Sequence, residues 1–449
     1  MSVDTIPAAL QYKSLVNAQA RVVRQRVQPI GLNAGTEGTT VRFLLPMKSI
    51  CDLRSLAFHY DYTISGLTDD AANYSNVLLF PPSYQHWSNI KVIVSGATAA
   101  GAQCNQYDMA HHLLLKSSAG EDYCNSRLYN CYNSLLTSPG TVRPGNGITS
   151  KSQRMTFDDL VLFRSRNHLY DSSLLGSLEI ELQFNKKNIL KVVAAGTKAG
   201  ANLATTYGEI SHAFSNITLS IDTVVSIAPM YVSLLSERLS VAQPIRYPFS
   251  EIRTVLASNT GANRVTLQGN CIDAVAVAFL NQDANSGAAV ADATGIANVA
   301  RYKYGLAGAD AAARAANANQ INFQLTVGSE VFGRVPIQLH EMLDNTINAM
   351  YSVDARSTNL LFHGVTAGAQ SYSLDNAADN NVIAITKFAA AEEGWASPQG
   401  LLCGLQTQGV ATDCVVSSNQ TVASNILIAV MQTSQVVFDP STSAVSIEA

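Results

Sequence analysis

Apolar residues recur at every second position in segment after segment of this chain. A chain patterned that way folds as strands, each with one face buried. In Leu53 to Ser65 (LRSLAFHYDYTIS), Leu56, Phe58, Tyr60, Tyr62 and Ile64 share one face. Ile90, Val92 and Val94 alternate in NIKVIVSG, and Leu178, Ile180, Leu182 and Phe184 alternate in SLEIELQFN. Ile217, Leu219 and Ile221 repeat the pattern, followed by Val224 and Val225. Further strand-like runs are Thr40 to Leu45, Ile252 to Leu256, Ala274 to Leu280, Ile321 to Val327, Val382 to Phe388, Cys414 to Val416 and Ile426 to Met431. Many strands separated by turn signals, with few helices, read as sandwiches or barrels. Two helices are predicted. One is Tyr107 to Lys116. The other is Pro336 to Tyr351, where proline suits the first turn and Ile337, Leu339, Met342, Leu343, Ile347 and Met350 fall near one face.

The two halves echo each other. Asn89-IKVIVSG aligns with Asn322-FQLTVGS, and Ser215-NITLSID aligns with Ser424-NILIAVM, at shifts of 233 (322 less 89) and 209 (424 less 215). Ordered matches at similar shifts suggest a duplicated β domain, and the proline-flanked stretch from Ile227 to Tyr247 is the natural boundary. A length of 449 residues fits two large β domains or two to three ordinary ones. The expected division is an N-terminal basic arm over 1–38, a first domain over 39–236 and a second over 237–449. Three connections exceed hairpin length: 138–153, rich in Pro and Gly; 194–206; and 281–320, rich in alanine. Long loops in compact domains are commonly functional.

Charge is scarce. Only 14% of residues are Asp, Glu, Lys or Arg, against about 25% in an ordinary globular protein. Interface cores are depleted in charge in the same way, so a neutral polar surface fits a chain made for several protein contacts. A net charge of −4 argues against a chain that coats nucleic acid as a whole. The 47% apolar content argues against disorder. No run approaches the roughly 20 apolar residues of a membrane-spanning helix. No signal-peptide pattern is visible in MSVDTIPAALQYKS. The cysteines (51, 104, 124, 131, 271, 403 and 414) are odd in number and form no CxxC pair, so they read as buried free thiols in a reducing compartment. Sequons at Asn73, Asn216 and Asn419 then read as chance matches.

Catalytic motifs are missing. There is no phosphate-cradling Gly-x-x-x-x-Gly-Lys and no Gly-x-Ser-x-Gly elbow. His340-Glu341 opens like a zinc-protease helix, but position 344 is Asp344, so the second ligand is absent. His111 and His112, adjacent on a helix, point about 100° apart and do not share a ligand face. Glu392-Glu393 and Asp69-Asp70 are adjacent carboxylates in polar loops. Trp87 and Trp395 read as packing residues more readily than as sugar platforms. No cofactor and no catalytic residue is assigned. The N-terminal arm stands apart. From Thr5 to Thr36 it holds no acidic residue, while Lys13, Arg21, Arg24 and Arg26 are basic. Such a segment suits phosphates or anionic lipid headgroups, each basic group being worth about 1 kcal/mol at a lipid surface. Packing on a neighbouring subunit is an equal reading.

The order of features resembles a double jelly-roll major capsid protein, of the lineage shared by tectiviruses, adenoviruses, virophages and polinton-like viruses. The resemblance rests on the long early strand LRSLAFHYDYTIS, on HWSNIKVIVSG leading to a helix at Gln106-Tyr107, on the closing strand FSNITLSIDTVVS, and on INFQLTVGSEVFGRVPIQLHEML. It implies an all-β fold of two tandem eight-stranded jelly-roll β-sandwich domains with a few short helices and long loops. It also implies a structural, non-enzymatic virion protein made in the host cytoplasm. Three copies would form a pseudo-hexameric trimer that tiles an icosahedral shell beside neighbouring capsomers, penton and minor capsid proteins. The long loops would be outward towers. The arm, through Lys13, Arg21, Arg24 and Arg26, would face an internal membrane or the packaged genome. The rival readings are a carbohydrate-binding double β-sandwich, which would be expected to carry an export signal and loop aromatics, and a carbohydrate-processing enzyme on the same scaffold.

Overall fold

The computed structural model of the chain describes residues 21–65, 75–79, 81, 83–94, 102–118, 141–142, 150–156, 168–195, 210–224, 235–237, 239–258, 262–267, 271–280, 290–291, 296–298, 322–338, 364–366, 369–371, 383–388, 404–406, 412–418 and 425–448. The strands of the first half are β1 (Val22–Val27), β2 (Thr40–Leu44), β3 (Ile50–Ser65), β4 (Ser75–Leu79), β5 (Trp87–Val94), β6 (Gln103–Asn105), β7 (Thr141–Val142), β8 (Ser150–Thr156), β9 (Leu169–Asp171), β10 (Leu178–Phe184), β11 (Lys191–Ala195) and β12 (Ser211–Val224). Helix α1 (Tyr107–Ser118) follows β6. The second half contributes β13 (Ile245–Ser258), β14 (Ala262–Leu267), β15 (Cys271–Leu280), β16 (Val290–Ala291), β17 (Ile296–Asn298), β18 (Asn322–Val327), β19 (Glu330–Gln338), β20 (Gly364–Thr366), β21 (Ala369–Ser371), β22 (Ile383–Lys387), β23 (Leu405–Gln406), β24 (Thr412–Ser418), β25 (Asn425–Asp439) and β26 (Ala444–Glu448).

Each half is a sandwich of two antiparallel sheets with four principal strands apiece, to which β9 adds beside β3 in the first half, and β23 and β26 add beside β15 and β25 in the second. In the first, β1-β12-β3-β8 faces β2-β10-β5-β6; in the second, β13-β25-β15-β22 faces β14-β24-β18-β19. Counting only the eight sandwich strands in chain order, both halves pair first with eighth, eighth with third and third with sixth. The opposing sheet pairs second with seventh, seventh with fourth and fourth with fifth. This is the jelly-roll arrangement, twice. The internal repeat falls in step with it. Asn89 and Asn322 lie in β5 and β18, the fourth strands, while 215–222 and 425–431 lie in β12 and β25, the eighth.

The alternation seen in the sequence builds the first core. Leu56, Phe58, Tyr60, Tyr62 and Ile64 of β3 are buried opposite Ile90, Val92 and Val94 of β5 and Leu178, Ile180, Leu182 and Phe184 of β10. Trp87 is wholly buried and meets Tyr60, Phe184 and Phe214 at ring-centroid distances of 5.3, 5.8 and 5.5 Å. Such edge and tilted contacts contribute about 0.5–1.5 kcal/mol each beyond area burial. Strand β15 differs: all ten of its residues are buried. Val275, Val277 and Phe279 fill the second sandwich, while Ala274, Ala276 and Ala278 on the other face join the core that includes the first sandwich. A strand covered on both faces reads as an unbroken apolar run, which explains AVAVAFL.

Three expectations are corrected. Residues 22–27, placed in the arm, form β1, which pairs with β12 from Val22↔Val224 to Val27↔Leu219. Its half-buried residues Val23, Gln25 and Val27 alternate with exposed Val22, Arg24 and Arg26, a period of two that a helical reading of Val23 cannot accommodate. The helix expected from Pro336 does not begin there, because Pro336 to Gln338 close strand β19. The proline is tolerated because β19 is an edge strand and its register with β18 shifts between Phe323 and Leu325. Positions 339–351 lie outside the described residues. Residues 150–153, placed in a long loop, begin β8.

Candidate assembly surfaces

The connections that follow the third, fifth and seventh strands of the first sandwich leave from one end of it. They supply β4, β7 and β11. These join β16 and β17, from the connection after β15, in a separate sheet of order β16-β17-β11-β4-β7. Val192↔Ala297 and Val193↔Ile296 tie the two halves of the chain together within it. Parts of the long segments 194–206 and 281–320 therefore belong to one structure. The described part of 138–149 contributes β7.

A buried histidine–tyrosine group lies within the first sandwich. His86 Nε2 is 3.1 Å from the Pro81 carbonyl, and its Nδ1 is 2.7 Å from the Tyr60 hydroxyl. The carbonyl can only accept, so Nε2 carries the proton and Tyr60 donates to Nδ1. The Tyr62 ring stacks on His86 at 3.9 Å, and its hydroxyl is 2.8 Å from His212 Nδ1. His212 Nε2 lies 3.6 Å from Glu37 Oε1. Burial pushes the His212 imidazole down to about 4, opposed by a backbone hydrogen bond at Asn185 and reinforced by Lys187. Burial holds His86 well below its ordinary value, helped by His212. Both rings are neutral packing elements at pH 7.

The second surface is the seam between the sandwiches. The Gln103 amide of β6 is 3.5 Å from Glu251 Oε1, and Thr254 Oγ1 donates to the Asn105 carbonyl. Glu251 is buried and also accepts from Arg253 Nε at 2.9 Å, Gln432 Nε2 at 2.9 Å and Ser434 Oγ at 3.3 Å. Four donors around one carboxylate satisfy a group that is costly to bury alone. Tyr170 and Tyr247 meet edge-to-face at 5.1 Å across the seam. Met109, Ala110 and Leu113 of α1 belong to the same apolar core as Ala276, Leu427, Ala429 and Met431.

The third surface is the outer face of β1-β12-β3-β8. Arg24 and Arg26 of β1 and Arg154 of β8 are exposed on it, and His59 of β3 sits half-buried between them. Arg24 Nε is 3.2 Å from Asp222 Oδ1, and His59 Nε2 is 3.0 Å from Ser220 Oγ. Burial lowers the His59 imidazole, and the positive fields of Arg154, Arg26 and Arg24 add to the effect. Asp61 accepts from Ser152 Oγ at 2.6 Å and Asn216 Nδ2 at 3.0 Å, which lowers its carboxyl. Asn216 occupies the left-handed region (φ 54°) at the register shift between Ser215 and Thr218.

Of the basic residues singled out in the sequence, Arg21 is exposed and leads into β1, Arg24 and Arg26 stand on this sheet, and Lys13 lies outside the described residues. His111 is buried and His112 half-buried, with His112 Nδ1 3.0 Å from the Tyr84 hydroxyl. Among the described residues no cluster of three or more His, Cys, Asp or Glu side chains could hold a metal ion. Arg154 and His59 were missed from the sequence, since only strand register brings them beside Arg26. Glu251 looks like an ordinary polar residue of a strand until the seam is seen.

No protein-family model matches the sequence, and no curated protein matches it. Solved structures do match. VP54 of PBCV-1, fitted into a reconstruction of the virophage Sputnik, aligns over 96% of this chain and 97% of its own, with 8% identity and a TM-score of 0.56. The Faustovirus major capsid protein aligns over 93% and 90%, with 8% identity and a TM-score of 0.56. The PBCV-1 virus capsid aligns over 94% and 95%, with 9% identity and a TM-score of 0.52. At such identities the likeness is one of fold, carried from end to end by the paired strand orders. The chain has the double jelly-roll fold of these viral capsid proteins.

Proposed function

We propose that this chain is a structural capsid protein that builds the shell of an icosahedral virion. The observation that carries the reading is the duplicated eight-stranded order combined with an almost full-length match to capsid structures. The physical logic is geometric. Two similar sandwiches per chain give six per trimer, so a trimer presents a pseudo-hexagonal footprint that tiles a lattice with neighbouring capsomers. Low overall charge suits a subunit enclosed on several sides. The reading is structural and non-enzymatic, with penton and minor capsid proteins as further partners. Residues ahead of β1, including Lys13 and Arg21, would face the interior and contact lipid or genome. Arg24 and Arg26, assigned to that role from the sequence, stand on a sheet face and have a different partner, argued below.

Light scattering on a sizing column, with negative-stain images of the same peak, tests the reading. A species near three times 47.9 kDa with hexagonal outlines supports it. A monomer that persists at high concentration overturns the trimer. For the arm, Lys13→Ala with Arg21→Ala should weaken binding to anionic vesicles and packaging. Wild-type behaviour in both assays would remove that role.

A further inference from the structure

The contact between the two sandwiches is head-to-tail. Edge strand β6, fifth of the eight in the first sandwich, lies against β13, first of the eight in the second. A duplicated fold has the same two surfaces once more: the fifth strand of the second sandwich, β19, and the first strand of the first, β1. Both are edge strands, and Val331 of β19 is 48% exposed.

Strand register makes the equivalence residue by residue. Arg26 pairs with Ser220 and Ser220 with Ala57; Thr254 pairs with Ala429 and Ala429 with Ala276. Thr218 pairs with His59, and Leu427 with Ala278. Arg26 thus stands where Thr254 donates to the Asn105 carbonyl of an edge strand, and His59 stands where Ala278 lies in the covered face. An arginine at that place presents several donors to a row of edge-strand carbonyls.

We propose that the outer face of β1-β12-β3-β8, with Arg26, His59 and Arg154 at its centre, is the seat for the β19 edge of a second copy of this chain. The proposal rests on the capsid reading and names its seam. The head-to-tail step inside one chain is repeated between chains, and a heterologous contact whose rotation closes makes a ring. The character of each face fits its history. The face covered within the chain is alanine, leucine and methionine and is buried as the chain folds. The face left for a neighbour is polar and charged, with Arg26 and Arg154 beside the Arg24–Asp222 pair and Asp61, so an unassembled subunit stays soluble and charge governs the rate and specificity of docking.

The test is the double reversal Arg26→Glu with Arg154→Glu, measured by light scattering beside the wild type. Arg42→Glu, on the outer face of the opposing sheet, is the control. The wild type and the control are expected at the trimer mass. The double variant is expected as a folded monomer, its association weakened at least about 100-fold. A double variant that stays trimeric at the same concentrations overturns the seam and leaves the capsid reading standing; a monomeric wild type overturns both. Should the double variant fail to fold, Arg26→Cys with Gln338→Cys decides, because Gln338 pairs with Asn322 as Asn105 pairs with Asn89 and so takes the place that Asn105 holds against Thr254. Air oxidation is expected to give a covalent ladder on a non-reducing gel, and monomer bands alone would overturn the proposal.

Discussion

The two sandwiches share one strand order and differ in what covers the outer sheet of each. On β13-β25-β15-β22 the outer positions are Ala274, Ala276, Ala278, Leu427, Ala429 and Met431, packed into the core that includes the first sandwich. On β1-β12-β3-β8 the equivalent region carries Arg24, Arg26, His59, Ser220 and Asp222. Topology alone therefore does not decide which sheet face is core. The neighbour does, and the sequence of each strand records it: alternation where water or a later partner lies outside, an unbroken apolar run where a second sandwich does. The small side chains at 274, 276 and 278 allow close approach, as larger ones would not.

The sharpest way to break the comparison is to put the same charge at its two equivalent positions. Ala278→Glu buries a carboxylate in the seam without a partner and is expected to cost more than 4 kcal/mol, or to abolish folding. His59→Glu, at the matching place on the other sheet, is expected to change monomer stability by less than about 1 kcal/mol. Urea unfolding of the two variants reads the difference. Equal losses would mean that the two faces are equally covered.

The sandwiches should also respond to pH in opposite senses. His212 titrates near 4 when folded and near 6.5 when unfolded, so below about 6.5 the unfolded chain binds the proton more readily. Stability falls as pH drops from 6.5 towards 4, by on the order of 3 kcal/mol for this residue. His86 acts in the same direction. In the second sandwich, burial raises the Asp273 carboxyl to about 7 against 3.8 unfolded, although Thr433 and Cys271 donate to it. Here the folded state holds the proton more tightly. Its destabilisation is full above pH 7 and fades as pH falls towards 3.8. His212→Gln should flatten the acid limb of a melting-temperature profile, and Asp273→Asn the alkaline limb. A profile unchanged by either substitution contradicts the assignment for that residue.

Much of this architecture was legible in the residues. Alternation located the core strands of the first sandwich, and the two matches at shifts of 233 and 209 fell on structurally equivalent strands. The features that local sequence leaves unspecified lie at sheet edges and junctions. Among the described residues strand β1 pairs with β12 alone, and its Val23 and Val27 are half-buried, so its pattern is too faint to outweigh its charge. Pro336 suits the first turn of a helix as well as an edge strand, and local sequence cannot separate the two. The partners that Glu251 finds in Gln103 and Gln432, and the gathering of Arg26, His59 and Arg154 on one sheet face, depend on residues more than 30 positions apart, which no local pattern encodes.

The opposing sheets provide the complement to that contrast, and the smallest effect. Arg42 Nη2 lies 2.8 Å from Glu181 Oε1 on the first sandwich, and Arg264 Nη1 lies 3.5 Å from Asp413 Oδ2 on the second. Both arginines are exposed, at 57% and 71% of their side-chain area. Exposed pairs contribute about 0–1 kcal/mol and are screened by salt. Arg42→Ala and Arg264→Ala are therefore each expected to lower the unfolding free energy read from urea titrations by a few tenths of a kcal/mol at 0.1 M salt, and by less at 1 M. Similar small losses at both sites would confine the asymmetry between the sandwiches to the sheets that carry β1 and β13. A loss above about 2 kcal/mol at Arg264 alone would mean that the outer face of β14-β24-β18-β19 is also covered, and that each sandwich differs from the other on both of its sheets.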